Sequence, residues 1–119
     1  MGNMREYGLV LDPKFDASGL LTAVIVDVDD GAVLMVGHMN SEALEVTQKS
    51  GKVTFFSRSR QRLWTKGENS GHFLHLVEMR VDCDQDALLV IARPDGPTCH
   101  TGERSCFYRK VTTDGLERL

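Results

Sequence analysis

Two apolar runs separated by a short acidic turn constrain the fold of this chain more than any other feature. Residues 20–28 (LLTAVIVDV) and 32–38 (AVLMVGH) are rich in β-branched residues, and Asp29-Asp30-Gly31 lies between them. β-Branched residues favour strands, and an Asp-Gly pair between two apolar runs is typical of a tight hairpin turn. The sequence therefore predicts a β-hairpin and, with it, an antiparallel sheet.

The remaining segments add more strands and one clear helix. Asn40 or Ser41 can cap a helix that ends near Gly51. From Phe73 onward, apolar and polar residues alternate with the period of a half-buried strand. We predict further strands over 52–57, 87–92 and 98–111, the last interrupted at Gly102, and no clear element over 1–19. The predicted class is therefore α+β, mainly β.

Length and charge narrow the classes of function. The 119 residues fit a single domain spanning 1–119. The net charge of -3 argues against a general affinity for nucleic acid or for anionic membranes, because both require a basic surface. No signal peptide is visible and the longest apolar runs are too short to cross a bilayer, so we expect a cytoplasmic protein.

Residues 58–72 (RSRQRLWTKGENSGH) form the first candidate site. The segment is polar and basic, it matches neither period, and it is long for a loop without a function. Such cations and donors can hold a phosphate group, although a solvated basic loop fits the same residues. Trp64 can stack on a base or pin the loop to the core. The candidate phosphate ligands are Arg58, Lys66, Ser70 and Gly71.

The three cysteines form a second candidate site. Cys83, Cys99 and Cys106 are separated by sixteen and seven positions, which matches no C-x-x-C motif. They can be buried small hydrophobic residues, or they can hold Zn²⁺ with a fourth position left open for water. His100 could close the same site as a structural ligand, and it is also the best candidate general base.

Three aspartates surround the first of these cysteines. If the strand period continues through residues 81–89, Cys83 faces the apolar side, whereas Asp82, Asp84 and Asp86 face the polar side. Hard carboxylates suit Mg²⁺ or Ca²⁺, and a cation would relieve the repulsion between them; a solvated acidic face is the simpler alternative. The sequence thus predicts that the cysteine and the aspartates point apart.

Four motifs, occurring together and in this order, resemble phosphoribosyl-AMP cyclohydrolase, a family of histidine biosynthesis. They are S-R-S-R from residue 57, L-W-x-K-G-E-x-S-G from residue 63, D-C-D-x-D from residue 82 and C-H-T-G-x-x-S-C-F from residue 99. The likeness runs from about Ala23 to Tyr108. Any one motif is weak evidence, but their joint occurrence is highly specific.

The resemblance implies two metals and a dimer. The family's zinc cysteines fall on Cys83, Cys99 and Cys106, and its magnesium aspartates fall on Asp82, Asp84 and Asp86. The family's enzymes are intertwined homodimers with a β-barrel-like core and one or two helices. Zinc is bound across the interface, with the D-C-D cysteine from one subunit and the other two from its partner.

The resemblance also implies a reaction. The family hydrolyses the N1–C6 bond of the adenine ring of 1-(5-phosphoribosyl)-AMP and opens the ring to the phosphoribosylformimino-AICAR phosphate product. Zinc-activated water would attack C6, with His100 as the expected base. The expected substrate ligands are Arg58, Trp64, Lys66, Ser70 and Gly71.

Some features depart from the family, and other functions stay open. Asn69 stands where Thr is common, and His75 stands where Gln is frequent. We expect the monofunctional form, without the phosphoribosyl-ATP pyrophosphatase domain fused to some relatives. The alternative is a structural zinc module in which Cys83, Cys99, His100 and Cys106 close the coordination and the basic loop binds a partner. A redox thiol protein is a poorer alternative, because no two cysteines are close in sequence.

Overall fold

The predicted class is confirmed in the computed structural model, which describes residues 4–119 as an α+β fold, mainly β. The two helices are α1 (Met4–Tyr7) and α2 (Ser41–Ser50). The strands are β1 (Leu21–Asp27), β2 (Val33–Met39), β3 (Thr54–Ser57), β4 (Arg62–Thr65), β5 (Leu74–Val81), β6 (Ala87–Pro94), β7 (Arg109–Thr112) and β8 (Gly115–Arg118).

The predicted hairpin is confirmed and forms half of the main sheet. Strands β1 and β2 pair antiparallel, with a bulge between Ile25 and Val26. The sheet has four strands in the order β2-β1-β6-β5, in which β1 and β6 are parallel and β5 and β6 form a second antiparallel pair. The parallel pair places β6, and with it the start of the loop that follows β6, beside the first hairpin.

Helix α2 has the predicted caps. The Asn40 side chain accepts a hydrogen bond from the Ala43 amide at 2.8 Å, and Gly51 ends the helix with a φ of 74°. The Thr47 hydroxyl accepts from the Thr54 amide at 2.9 Å and donates to the Thr54 carbonyl at 3.2 Å. These buried bonds fix α2 against β3.

The core lies where the main sheet, α2 and β3 meet. Gly37 on β2 makes this packing possible, because a Cβ at that position would stand 2.5 Å from the Phe55 ring. The Phe55 ring packs on Trp64 with 5.1 Å between centroids. The largest fully buried side chains include Leu21, Ile25, Leu34, Met39, Phe55, Leu74, Leu88 and Val90.

Two segments differ from the sequence prediction. Residues 58–72 are not entirely loop, because β4 pairs with β3 and sets Trp64 opposite Phe55. Residues 98–111 are mostly not strand: only β7, from Arg109, is regular, and it pairs with β8. In the irregular part, the Thr98 and Cys99 amides donate to carbonyls of the same loop, so they are not free for a sheet.

The predicted continuation of the strand through residues 82–86 is wrong. Those residues form the turn between β5 and β6, and Gln85 in this turn has a φ of 60°. The Asp82 carboxylate accepts from the amides of Asp86 at 2.9 Å and Ala87 at 3.1 Å. Aspartate favours such local bonds over a strand ladder, which is why the period ends here.

The N-terminal segment is tied to this acidic turn through Gln85. The buried amide of Gln85 accepts from the Asp12 amide at 2.8 Å and donates to the carbonyls of Arg5 at 2.9 Å and Val10 at 3.1 Å. Residues 5–14 therefore cover the turn, a role that their sequence does not reveal.

The strands of residues 4–119 form three separate sheets and no closed barrel, so the barrel-like core implied by the resemblance is not confirmed. Neither helix in that range has the length and the apolar run that crossing a bilayer would require.

Candidate active site

A polar pocket of about 640 Å³ lies between the β3–β4 hairpin, the segment that follows it and the loop after β6. Three of the predicted substrate ligands, Trp64, Lys66 and Ser70, line this pocket. Cys99 and His100 line it as well, so the fold brings one predicted zinc ligand and the predicted base to the predicted substrate segment.

The other two predicted substrate ligands lie outside this pocket. Arg58 lines a neighbouring depression of about 560 Å³, which shares Trp64 with the first pocket and also contains His38. Burial lowers the pKa of His38, and the nearby positive charge of Arg58 lowers it further. Gly71 lines neither cavity: its φ is 79° and its amide donates to the Gly67 carbonyl at 2.7 Å, so it shapes the turn.

Cys99 and Cys106 form a thiol pair. A hydrogen bond from the Thr101 hydroxyl to the Cys99 sulfur, at 3.0 Å, lowers the pKa of Cys99, and a hydrogen bond with Cys106 lowers it further. Cys106 is exposed, but partial desolvation of its sulfur raises the pKa of its thiol, and the neighbouring Cys99 thiol adds to that shift. Cys99 therefore deprotonates first. The positive charge of Lys66 lowers the pKa of both thiols, which couples the pair to the pocket.

Cys83 stands apart from this pair. It is exposed on the turn after β5, whereas Cys99 and Cys106 lie on the loop after β6. Within residues 4–119, no Cys, His, Asp or Glu joins the thiol pair in a cluster of three close ligand atoms. One chain therefore does not by itself assemble the predicted set of three cysteines, nor the structural set that adds His100.

The three aspartates do come together. Their carboxylate oxygens lie within 4.8 Å of one another, and the Cys83 sulfur is not part of this group. The predicted placement of Cys83 on the apolar face is wrong, because residues 82–86 form a turn that leaves this cysteine exposed. Hydrogen bonds with Asp82 and Asp84 raise the pKa of Asp86 to about 6. Desolvation raises the pKa of Asp82, but hydrogen bonds from its neighbours outweigh this effect, so its pKa is lowered.

The raised pKa of Asp86 predicts a pH dependence of stability. The folded protein holds this proton more tightly than the unfolded chain, in which the pKa is 3.8. The stabilisation from this proton is therefore complete below pH 3.8 and is lost as the pH rises through about 6. We expect the melting temperature of the metal-free protein to fall across this range. If Mg²⁺ binds among these carboxylates, it should reduce the fall, because a cation favours their charged form.

The control for this prediction is Asp86→Asn, which removes the titrating group and should flatten the dependence. The measurement is a series of thermal melts between about pH 4 and pH 7, with and without Mg²⁺. An equal fall in the wild type and in Asp86→Asn would contradict the assignment to Asp86.

Two residues that sequence reasoning did not assign also line the pocket. His72 does so because Gly96 leaves room for its ring: a Cβ at residue 96 would stand 2.9 Å from the imidazole. Thr98 precedes Cys99, and its buried hydroxyl has no hydrogen-bond partner within residues 4–119. Gly96 was visible in the sequence as a turn signal, but nothing local pointed to Thr98.

The fold and the site together define a class. This is a small α+β protein, mainly β, built around a pocket that carries the cationic, thiol and imidazole groups of a hydrolytic enzyme.

Comparison with known proteins identifies the family within that class. A family model described as "Phosphoribosyl-AMP cyclohydrolase" matches residues 35–108. The phosphoribosyl-AMP cyclohydrolase of Rhizorhabdus wittichii is 59% identical over 97% of this chain and 93% of its own. The relative from Sphingopyxis alaskensis is 63% identical over 87% of this chain and 82% of its own. The relative from Rhodopseudomonas palustris is 56% identical over 92% of this chain and 75% of its own. The chain belongs to the phosphoribosyl-AMP cyclohydrolase family.

Proposed function

We propose that this protein is a hydrolase of histidine biosynthesis that cleaves the N1–C6 bond of the adenine ring of 1-(5-phosphoribosyl)-AMP. The observation that carries the proposal is that Cys99, His100 and Lys66 line one pocket in a chain of this family. The pocket has cations for phosphate groups and an aromatic ring for a base.

The thiol pair fits a zinc site that a second subunit completes. Thiolates are suitable ligands for Zn²⁺, and Cys99 and Cys106 lie on the same loop and shift each other's pKa. Cys83 lies exposed on another turn, where it is available to a partner. We therefore propose a homodimer in which Cys99 and Cys106 of one subunit and Cys83 of the other hold zinc. A zinc ion held there supplies Lewis acidity, which makes hydroxide available near neutral pH.

The aspartate cluster fits a harder cation. Asp82, Asp84 and Asp86 present converging carboxylate oxygens, which are the ligands that Mg²⁺ prefers, and no thiol is among them. Magnesium held there would neutralise phosphate charge. This division gives each metal the donor type that suits it.

The chain's own residues supply binding and proton transfer. Lys66 and Ser70 contact one phosphoribosyl group in the pocket that they line, while Arg58 contacts the other from the neighbouring depression. Trp64, which borders both cavities, packs against the base between them. His100 accepts a proton from the attacking water. Oxygen then adds to C6, which N1-ribosylation makes electron-poor. As a carbonyl forms at C6, the N1–C6 bond breaks, and His100 returns the proton to N1, which leaves a carboxamide.

The direct test is turnover of phosphoribosyl-AMP. The purified protein is incubated with the substrate and Mg²⁺, and ring opening is followed by ultraviolet absorbance before and after zinc chelation and after zinc is restored. We expect activity that chelation removes and zinc restores, with circular dichroism unchanged. No turnover in the untreated protein would refute the proposal, and chelation that unfolds an inactive protein would favour a structural zinc module.

The two phosphate contacts predict a change in KM. Arg58→Ala and Lys66→Ala each remove a charge-assisted hydrogen bond of about 1.5–3 kcal/mol, which corresponds to roughly a tenfold to hundredfold increase in KM. Steady-state kinetics measures the effect. The matched control is Lys49→Ala, which removes a cation that pairs with Glu45 on α2 and should leave KM unchanged. If KM is unchanged in both Arg58→Ala and Lys66→Ala, the assignment of these two residues as phosphate ligands is refuted.

A further inference from the structure

The loop that carries the thiol pair has no regular structure of its own. Residues 95–108 connect β6 to β7 and contain neither helix nor strand. The spacing between Cys99 and Cys106 therefore depends on a few specific contacts, because no backbone ladder holds this segment.

The two cysteines are anchored differently. The Cys106 amide donates directly to the Leu34 carbonyl on β2, at 2.8 Å. Cys99 is buried, and within residues 4–119 its backbone hydrogen bonds stay inside the loop: its amide donates to the Glu103 carbonyl at 3.0 Å, and the Thr98 amide donates to the Arg104 carbonyl at 3.2 Å. Besides packing, the position of Cys99 therefore depends on what fixes residues 103 and 104.

Arg104 is fixed to the hairpin turn between β1 and β2. Its Nη2 donates to Asp27 Oδ2 at 3.0 Å and to both carboxylate oxygens of Asp30, at 2.8 and 2.9 Å. The Asp27 side chain is only 7% exposed, and its other oxygen accepts from the Asp29 amide. A buried carboxylate needs a partner, so this contact is strongly favoured.

Glu103 does not provide the same connection. It pairs with Arg118 on β8, which belongs to a separate two-stranded sheet. Two other side chains also tie this loop to the four-stranded sheet: Asp95 pairs with His75 on β5 at 2.8 Å, and the Ser105 hydroxyl donates to the Val33 carbonyl on β2 at 2.7 Å. Of these three residues, Arg104 is the one whose own backbone carbonyl accepts from the Thr98 amide, next to Cys99.

We propose that Arg104 is a positioning residue for the zinc site: its ion pairs with Asp27 and Asp30 set the position of Cys99 relative to Cys106. This inference rests on the proposed function, because it assigns zinc to the thiol pair. Arg104 does not contact the metal, and it acts through the backbone of residues 98 and 99. Groups that orient metal ligands commonly affect metal affinity even though they make no bond to the ion.

The test measures zinc binding with the whole protein. Zinc is titrated in competition with a chromophoric chelator, and Co²⁺ is added to a second sample to record the thiolate-to-cobalt absorption band. Arg104→Gln should weaken zinc binding about tenfold to a hundredfold and alter the band. Arg104→Lys keeps the positive charge but replaces the guanidinium by a flexible ammonium, so its zinc affinity should lie between those of the wild type and Arg104→Gln.

Arg93→Gln is the matched control. Arg93 pairs with Asp29 on the same hairpin turn, at 3.6 Å, but it is not part of the cysteine loop. The Arg93→Gln variant should bind zinc with the affinity of the wild type. Light scattering confirms that all variants keep the same oligomeric state, and melts confirm that they are folded at the assay temperature.

The outcomes separate the two proposals. Wild-type affinity and an unchanged cobalt band in Arg104→Gln would overturn the role of Arg104 alone, as would an equal loss in Arg93→Gln. If Arg104→Gln does not fold, Arg104→Lys is compared with Arg93→Gln, and equal affinities overturn the role. A wild-type protein that gives no thiolate band would overturn both this role and the zinc mechanism.

Discussion

Cys99→Ser is expected to abolish zinc-dependent turnover, with a loss in kcat/KM of roughly 1,000-fold or more, which corresponds to about 4 kcal/mol. Serine is nearly isosteric, but its hydroxyl is not deprotonated near neutral pH and is a harder donor than a thiolate. The Cys99 sulfur is the pocket-lining member of the thiol pair, and its pKa is already lowered by the hydrogen bond from Thr101. Losing it should remove both zinc and activity.

The graded control is Thr101→Val, which keeps the shape of the side chain and removes only its hydrogen bond to the Cys99 sulfur. We expect a smaller loss, about tenfold to a hundredfold, because an outer contact is removed while the ligand stays. Zinc content and kcat/KM are measured on the same samples. Cys99→Ser protein that keeps one zinc per chain and its activity would show that Cys99 is not a ligand.

Mixing two inactive variants is expected to restore activity. Cys83→Ser and Cys99→Ser each damage every site of their own homodimer. In a mixed dimer, however, one of the two sites combines the intact Cys83 of one subunit with the intact Cys99 and Cys106 of the other. Random exchange makes about half of the dimers mixed, so roughly one quarter of the wild-type activity should return. The position of Cys83, apart from the thiol pair of its own chain, is what motivates this expectation.

The control mixture contains Cys99→Ser and Cys106→Ser. These two cysteines would serve the same site from the same subunit, so both sites of their mixed dimer are damaged and no activity should return. Partial unfolding and refolding together ensures subunit exchange. Recovery in both mixtures, or in neither, would contradict a zinc site shared between subunits.

The sequence was sufficient for the elements whose signals are local. The Asp29-Asp30-Gly31 turn defines the first hairpin, and Asn40 and Gly51 define the ends of α2, because turn and cap chemistry acts over a few residues. Strand β4 was missed because its four residues are too few to show a period and because its pairing with β3 determines its conformation.

The acidic turn shows where local reasoning fails. The alternation before Asp82 predicts a strand, but Asp82 binds the backbone of the turn, and Gln85 takes a left-handed conformation while its side chain binds residues more than seventy positions away. Contacts between residues so far apart in the chain leave no periodic pattern of apolar and polar residues in the sequence. The predicted position of Cys83 on the apolar face fails together with the strand, because the turn leaves this cysteine exposed.

The thiol pair could be listed from the sequence but not assembled from it. Cys99 and Cys106 meet through an irregular loop whose anchors, such as Arg104 on Asp27, join residues far apart in the chain. The family resemblance, and not a local signal, groups Cys99 with Cys106 and assigns Cys83 to the partner subunit, and this assignment stays a prediction.

The most direct test of the account is diffraction from crystals of the zinc-loaded protein at the zinc absorption edge. We predict one anomalous peak per chain, about 2.3 Å from the sulfurs of Cys99 and Cys106 and from that of Cys83 in a second copy of the chain. A zinc peak bound by Asp82, Asp84 and Asp86, or by cysteines from only one chain, would contradict the account.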